Sequence, residues 1–133
     1  MTTITLRTNA RCQLLDITAD VQRAIQECGL EDGLATVFVP HTTAGLTINE
    51  NADPSVLVDL LENLERLVPH HGNYRHSEGN SDAHCKASMM GSSLNVAVQD
   101  GKLVLGTWQG IYFCEFDGPR SRKFQVLTLP SIP

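Results

Sequence analysis

With 133 residues, 41% of them hydrophobic and 19% charged, the chain is long enough to bury roughly two thirds of its unfolded surface, and its composition excludes a disordered or fibrous protein. A net charge of −5 argues against a nucleic-acid partner, and no apolar run approaches the ~20 residues that cross a bilayer. Cys12, Cys28, Cys85 and Cys114 form no CxxC pair and no secretory leader opens the chain, so free thiols in one cytoplasmic domain spanning 1–133 are expected.

The alternation of Thr3-Ile4-Thr5-Leu6, a turn at Thr8-Asn9-Ala10 and then Cys12-Gln13-Leu14-Leu15 predict two opening strands joined as a hairpin. Thr18 is placed as an N-cap, with Val21, Ala24, Ile25 and Cys28 on one face and Gly29 as terminator, which predicts a helix over 19–28. Cys12 and Cys28 read as small buried hydrophobes. The β-branched run Leu34–Val39, released by Gly33 and stopped by Pro40, predicts a central strand that delivers His41 at its end. Gly45–Glu50 alternates as another strand. Asp53 as cap and Pro54 at the first helical position then start a second helix, which turns Leu57, Leu60, Leu61, Leu64 and Val68 to one side.

From His70 to Asp82 the sole large apolar side chain is Tyr74, so a long polar loop is expected, followed by a short helix over 83–90 capped by Asp82 and ended by Gly91. Asp100-Gly101 between 94–99 and 102–105 predicts a type I′ hairpin. Gly106-Thr107-Trp108-Gln109-Gly110 makes a tight connection, and Ile111–Phe116 and Lys123–Leu129 are expected to pair around a turn at Gly118–Arg122. Together these elements predict an α+β domain, a mostly antiparallel sheet or sandwich with two main helices packed to one side.

No Walker loop, GxGxxG, zinc-ribbon spacing or GxSxG occurs. His41, His76 and His84 stand out instead, because three neutral imidazoles hold a zinc-type ion and leave a position open, although the same rings also serve as donors to loop carbonyls. His70 and His71 follow Pro69 at the end of the second helix, where they suit the role of favourable cations or C-terminal caps. Asp82 and Glu78 are placed to orient an imidazole or accept a proton, and Asn80 to make a turn. Thr42, Thr43 and Ser88 offer donors to an oxyanion, and Trp108 with Gln109 offers a stacking surface or a lid. Arg120, Arg122 and Lys123 suit phosphate or carboxylate, yet read as an ordinary charged hairpin tip unless that turn lies beside the histidine loop.

Taken in order, His41-Thr42-Thr43-Ala44-Gly45-Leu46-Thr47-Ile48-Asn49-Glu50, His76, Gly79-Asn80, Asp82-Ala83-His84, Gly106–Gly110 and Asp117-Gly118-Pro119-Arg120 closely resemble the YjbQ-like family over nearly the whole chain. The resemblance implies a compact α+β homotrimer with a secondary thiamin-phosphate synthase activity, which transfers a pyrimidine and releases pyrophosphate. It also implies a pocket near the subunit boundary. On that reading the chain is a small metal-dependent enzyme acting on a phosphorylated or anionic small molecule. His41, His76 and His84 would hold a divalent ion, with zinc favoured over magnesium because magnesium prefers carboxylates. His41, Glu50 and Asp82 would be catalytic, and Thr42, Thr43, Asn49, Asn80, Ser88, Trp108, Gln109 and Arg120 would bind ligand. The alternative is a non-catalytic trimeric ligand-binding or assembly module. The geometric requirement is that His76 and His84 face His41.

Overall fold

Strands with one apolar side hide it by stacking face to face, and this chain does so with two antiparallel sheets. The computed structural model describes residues 1–132, with strands β1 (Thr2–Arg7), β2 (Gln13–Asp16), β3 (Gly33–Phe38), β4 (Ala44–Glu50), β5 (Ser93–Gln99), β6 (Lys102–Leu103), β7 (Gln109–Glu115) and β8 (Ser121–Pro130). The helices are α1 (Thr18–Cys28), α2 (Pro54–Leu67) and α3 (Ser81–Met90). One sheet runs in the order β1-β8-β3-β5-β6 and the other β2-β7-β4, every pair antiparallel, which is the expected α+β class. β3 is the middle strand of its five, as its β-branched run predicts.

The main core lies between the sheets. Val37, Val96, Phe124 and Val126 from the larger sheet meet Leu46, Ile111 and Phe113 from the smaller one, and Val21, Ala24 and Ile25 of α1 complete it. The rings of Phe113 and Phe124 lie 6.4 Å apart, within the range where aromatic pairs attract beyond simple burial. A second core covers the other side of the smaller sheet, where Leu64 of α2 and Ala83 and Ala87 of α3 pack on Cys114 and Phe116. There α3 lies close on β4, since a Cβ at Gly45 would come 2.7 Å from the Gly91 carbonyl. The outer side of the larger sheet leaves Leu34, Phe38, Leu127 and Leu129 exposed.

Two expected pairings are wrong, for one reason. β1 and β2 do not form a hairpin, because β1 pairs with β8 in the larger sheet and β2 with β7 in the smaller. β7 and β8 likewise part into different sheets, so Phe113 and Phe124 face each other across the core instead of along a ladder. Alternation shows that a segment has a buried side but not which sheet supplies its neighbours. Arg122 consequently belongs to β8 and not to a turn.

Local signals fared better. Asp100 and Gly101 both have positive φ, 52° and 75°, as a type I′ turn needs, although β6 beyond them is just two residues long. The Asp53 carboxylate caps α2 by accepting from Ser55 N at 3.0 Å. Thr18 is not a cap: Asp16 Oδ1 accepts from its amide at 2.9 Å, while its own hydroxyl accepts from Ile111 N at 2.8 Å. α3 begins at Ser81, which moves Asp82 from the cap into the first turn. The four cysteines are free; Cys12 is half-buried, and Cys28 is exposed at the end of α1, contrary to expectation. Among the described residues no helix is long and apolar enough to cross a membrane.

Candidate functional site

Glu115 ends β7 after the buried run Gly110–Cys114, and Arg122 occupies an inward phase of β8, so each would be a lone buried charge without the other. Arg122 Nε donates to Glu115 Oε1 at 2.8 Å and Nη2 donates to Oε2. Nη2 also donates to Thr43 Oγ1 at 2.8 Å, while Glu115 accepts from the Thr8 hydroxyl at 2.8 Å and the Asp117 amide at 3.0 Å. Burial, the largest influence, raises the Glu115 pKa, but the bonds from Arg122, the Asp117 amide and Thr8 outweigh it and hold the carboxylate below its ordinary range. Segments following β1, preceding β4, ending β7 and opening β8 are thus tied to one point. Gly118 permits the close fit, since a Cβ there would strike the Ala10 carbonyl and the Thr8 hydroxyl.

His41 sits beside this knot. The Lys123 amide donates to its Nε2 at 3.0 Å, which places the ring proton on Nδ1. Desolvation first, then the Arg122 charge, pushes its pKa down, so the imidazole is neutral at pH 7. Three grooves share the ring. One of about 570 Å³ is lined by Thr5, Leu6, Arg7, Ser121, Arg122 and Lys123, and a second of about 530 Å³ includes Thr42, Thr43, Ser92, Arg120 and Arg122. A third, about 430 Å³, runs to His84 and Ser88 of α3. The first two contain four cationic residues and no carboxylate among their lining, on a chain whose net charge is −5. Arg122 is neutralised by Glu115, and Arg120 is paired with Asp117 at 3.1 Å. Arg7, which reaches Ser121 Oγ at 3.4 Å, and Lys123 remain exposed.

The long loop returns His76 to α3, where its ring meets His84 edge-on at 5.3 Å and its Nε2 lies 3.6 Å from Glu78. His84 and His41 therefore border one groove, and His76 abuts His84. Among the described residues, however, no group of three or more His, Cys, Asp or Glu side chains could hold a metal ion. His70 bonds the Gly79 carbonyl at 3.1 Å and stacks on His71, bracing the loop. Asp82 is fully buried and accepts from Lys86 at 2.9 Å and Arg11 at 3.1 Å, while Glu65 of α2 takes the same lysine at 2.7 Å. Burial raises the Asp82 pKa, but those cations prevail and keep it below the usual carboxylate range. This network fastens α3 to α2. Asn80 Nδ2 donates to Asp117 at 2.8 Å, and the Ser88 hydroxyl donates to the His84 carbonyl at 3.0 Å.

The remaining expected residues lie elsewhere. Asn49 and Glu50 end β4, opposite Gly110 and Gln109, and border a separate groove with Trp108. The length of β4 puts them about 20 Å from its Ala44 end, where His41 lies. Within one chain they do not meet the histidines. Arg7 and Glu115 were absent from the residues expected at the site, and Lys123 was expected there only as part of the charged hairpin tip with Arg120 and Arg122. The signal for Glu115 and Arg122 was present as charges on buried phases of apolar strands, whereas nothing local distinguishes Arg7.

The family model described as UPF0047 protein YjbQ-like matches residues 2–131. The UPF0047 protein MJ1081 of Methanocaldococcus jannaschii is 55% identical over 121 residues, 91% of this chain and 88% of its own. The UPF0047 protein YugU of Bacillus subtilis is 51% identical over 93% of this chain and 95% of its own. A crystal structure of an uncharacterized conserved protein of that family from Clostridium acetobutylicum superposes with a TM-score of 0.95 at 56% identity, covering 97% of this chain and all of that one. A YbjQ-like protein of unknown function from Sulfolobus solfataricus P2 superposes with a TM-score of 0.93 at 32% identity, covering 98% and 96%. These names carry no catalytic activity, and among the described residues no metal-ligand group is found. The expectation of a metal-dependent enzyme with thiamin-phosphate synthase activity is overturned.

The Glu115–Arg122 knot has a pH signature. The folded pKa of Glu115 lies below the unfolded one, so its stabilisation is present above the ordinary glutamate range and is lost as pH falls through the depressed value. Glu115→Gln is expected to cost about 3–5 kcal/mol at neutral pH by leaving Arg122 buried without its partner. Urea unfolding across a pH series checks this, with a flatter acid limb expected in the variant.

Proposed function

We propose a ligand-binding role for this chain, which belongs to the UPF0047 YjbQ-like family: the grooves around His41 take a small phosphorylated molecule. The observation that carries the proposal is the pair of exposed cations Arg7 and Lys123, beside the ion-paired Arg120 and Arg122, around a neutral imidazole, with no carboxylate lining either groove. Guanidinium forks match the paired oxygens of a phosphate, and Lys123 adds a point charge. His41 Nδ1–H, Thr5 and Ser121 are further donors for a phosphoryl oxygen. The groove volume suits a metabolite-sized ligand.

The second part of the proposal is that copies of the chain associate, as a trimer by the family resemblance, through the outer face of the larger sheet. Leu34, Phe38, Leu127 and Leu129 support it, because four exposed aliphatic and aromatic side chains on one flat face leave apolar surface in water.

Calorimetry at low salt with glycerol 3-phosphate, and with glycerol as control, tests the ligand. Saturable binding that requires the phosphate is expected, weakened roughly three- to tenfold by Arg7→Ala or by Lys123→Ala. Inorganic sulfate, whose charge is constant over this range, is expected to bind more tightly as pH falls below the usual imidazole range, because His41 gains its proton late. Equal behaviour of glycerol and its phosphate would contradict the proposal. For association, Leu127→Glu is expected to convert the oligomer to monomer in sedimentation velocity, and a monomeric parent chain would refute it.

A further inference from the structure

We infer a second ligand site at the far end of the smaller sheet, a ledge of Trp108, Asn49, Glu50 and Gln109 that takes a neutral hydroxylated ring such as a simple sugar. Trp108 is the chain's single tryptophan and is 63% exposed, although an indole has much apolar surface to hide. Its backbone is not loose. The Trp108 carbonyl accepts from Asn51 N at 2.9 Å, the Gln109 carbonyl accepts from Asn51 Nδ2 at 3.1 Å, and Gln109 N donates to the Gly106 carbonyl at 3.1 Å. A pinned turn therefore holds the indole out beside a groove of about 240 Å³, which Ile48 also lines.

The hydrogen bonds fix which polar atoms are available there. Asn49 Oδ1 accepts from the Glu50 amide at 2.8 Å, and Gln109 Oε1 accepts from the Gly106 amide at 2.7 Å. A backbone N–H can only donate, so both side-chain amides are assigned and each leaves its NH₂ free. Glu50 Oε2 accepts from the Ala52 amide at 3.2 Å, which leaves Oε1 free. The groove thus offers amide donors, one charged acceptor and an apolar plate. A hydroxyl donates and accepts at once, so neighbouring ring hydroxyls satisfy the amides and the carboxylate while the ring's C–H face lies on the indole. An organic cation would use the Glu50 carboxylate and the indole face but would leave both amide NH₂ groups turned toward its charge without acceptors, and a phosphate would meet the Glu50 carboxylate. A metal ion would find a single unengaged carboxylate oxygen, too few for its shell.

With one tryptophan, intrinsic fluorescence reports this ledge directly. Titration of the full chain with D-glucose, D-galactose, D-mannose and D-ribose is expected to give a saturable change for at least one of them. Glu50→Gln, which keeps an oxygen for Ala52, is expected to weaken that binding about tenfold, as loss of a charged acceptor does. Trp108→Ala is expected to abolish it in calorimetry without moving the unfolding midpoint. The inference is overturned if no sugar saturates, if tetramethylammonium saturates instead, or if both substitutions leave sugar binding unchanged.

Discussion

The ion pair between Glu115 and Arg122 is the constraint on which the rest of this molecule depends. β7 and β8 follow one another in sequence but belong to different sheets, and the pair closes the gap between them. Neither charge is tolerable alone in that interior, so the pair specifies how the sheets sit as much as it stabilises them. Thr8 and Thr43 are drawn into the same set of bonds, which brings in the connections that leave β1 and enter β4. The Lys123 amide, one residue beyond Arg122, then holds His41. A buried electrostatic requirement at the sheet junction thereby sets the position of an imidazole on the surface.

That arrangement gives the molecule two chemically different ends. One end gathers cationic side chains around a neutral histidine, while the other presents an exposed indole with amides and a carboxylate. The Trp108 end rests on β4 and β7, whereas the cationic groove at His41 is lined by β1 and the start of β8, so the two places draw on different sheets. The net charge of −5 opposes anions over the chain as a whole, which sharpens the contrast at the His41 end.

How much of this was legible in the sequence depended on the range of the interaction. The Asp53 cap, the Gly29 terminator and the Asp100-Gly101 turn are local chemistry, and each was visible in a few residues. Strand partners were not, because Leu6 against Arg122 and Leu15 against Phe113 are choices between sheets that alternation leaves open. At the site, the prominence of His41 and His84 was readable, and so was the cationic turn. Their meaning changed because the histidines make no three-ligand group and Asp82 faces Lys86 and Arg11. Glu50 and Trp108 looked like parts of the same pocket until the extended length of β4 separated them.

The knot of Glu115 and Arg122 is proposed to build the anion-binding groove at His41. Mapping backbone amide shifts by NMR while inorganic sulfate is added tests it most directly. The largest shifts are expected on Arg7, Ser121 and Lys123, with the Lys123 amide responding through its bond to His41 and Trp108 unmoved. Shifts centred on Asn49, Glu50 and Trp108, or spread evenly over the chain, would contradict it.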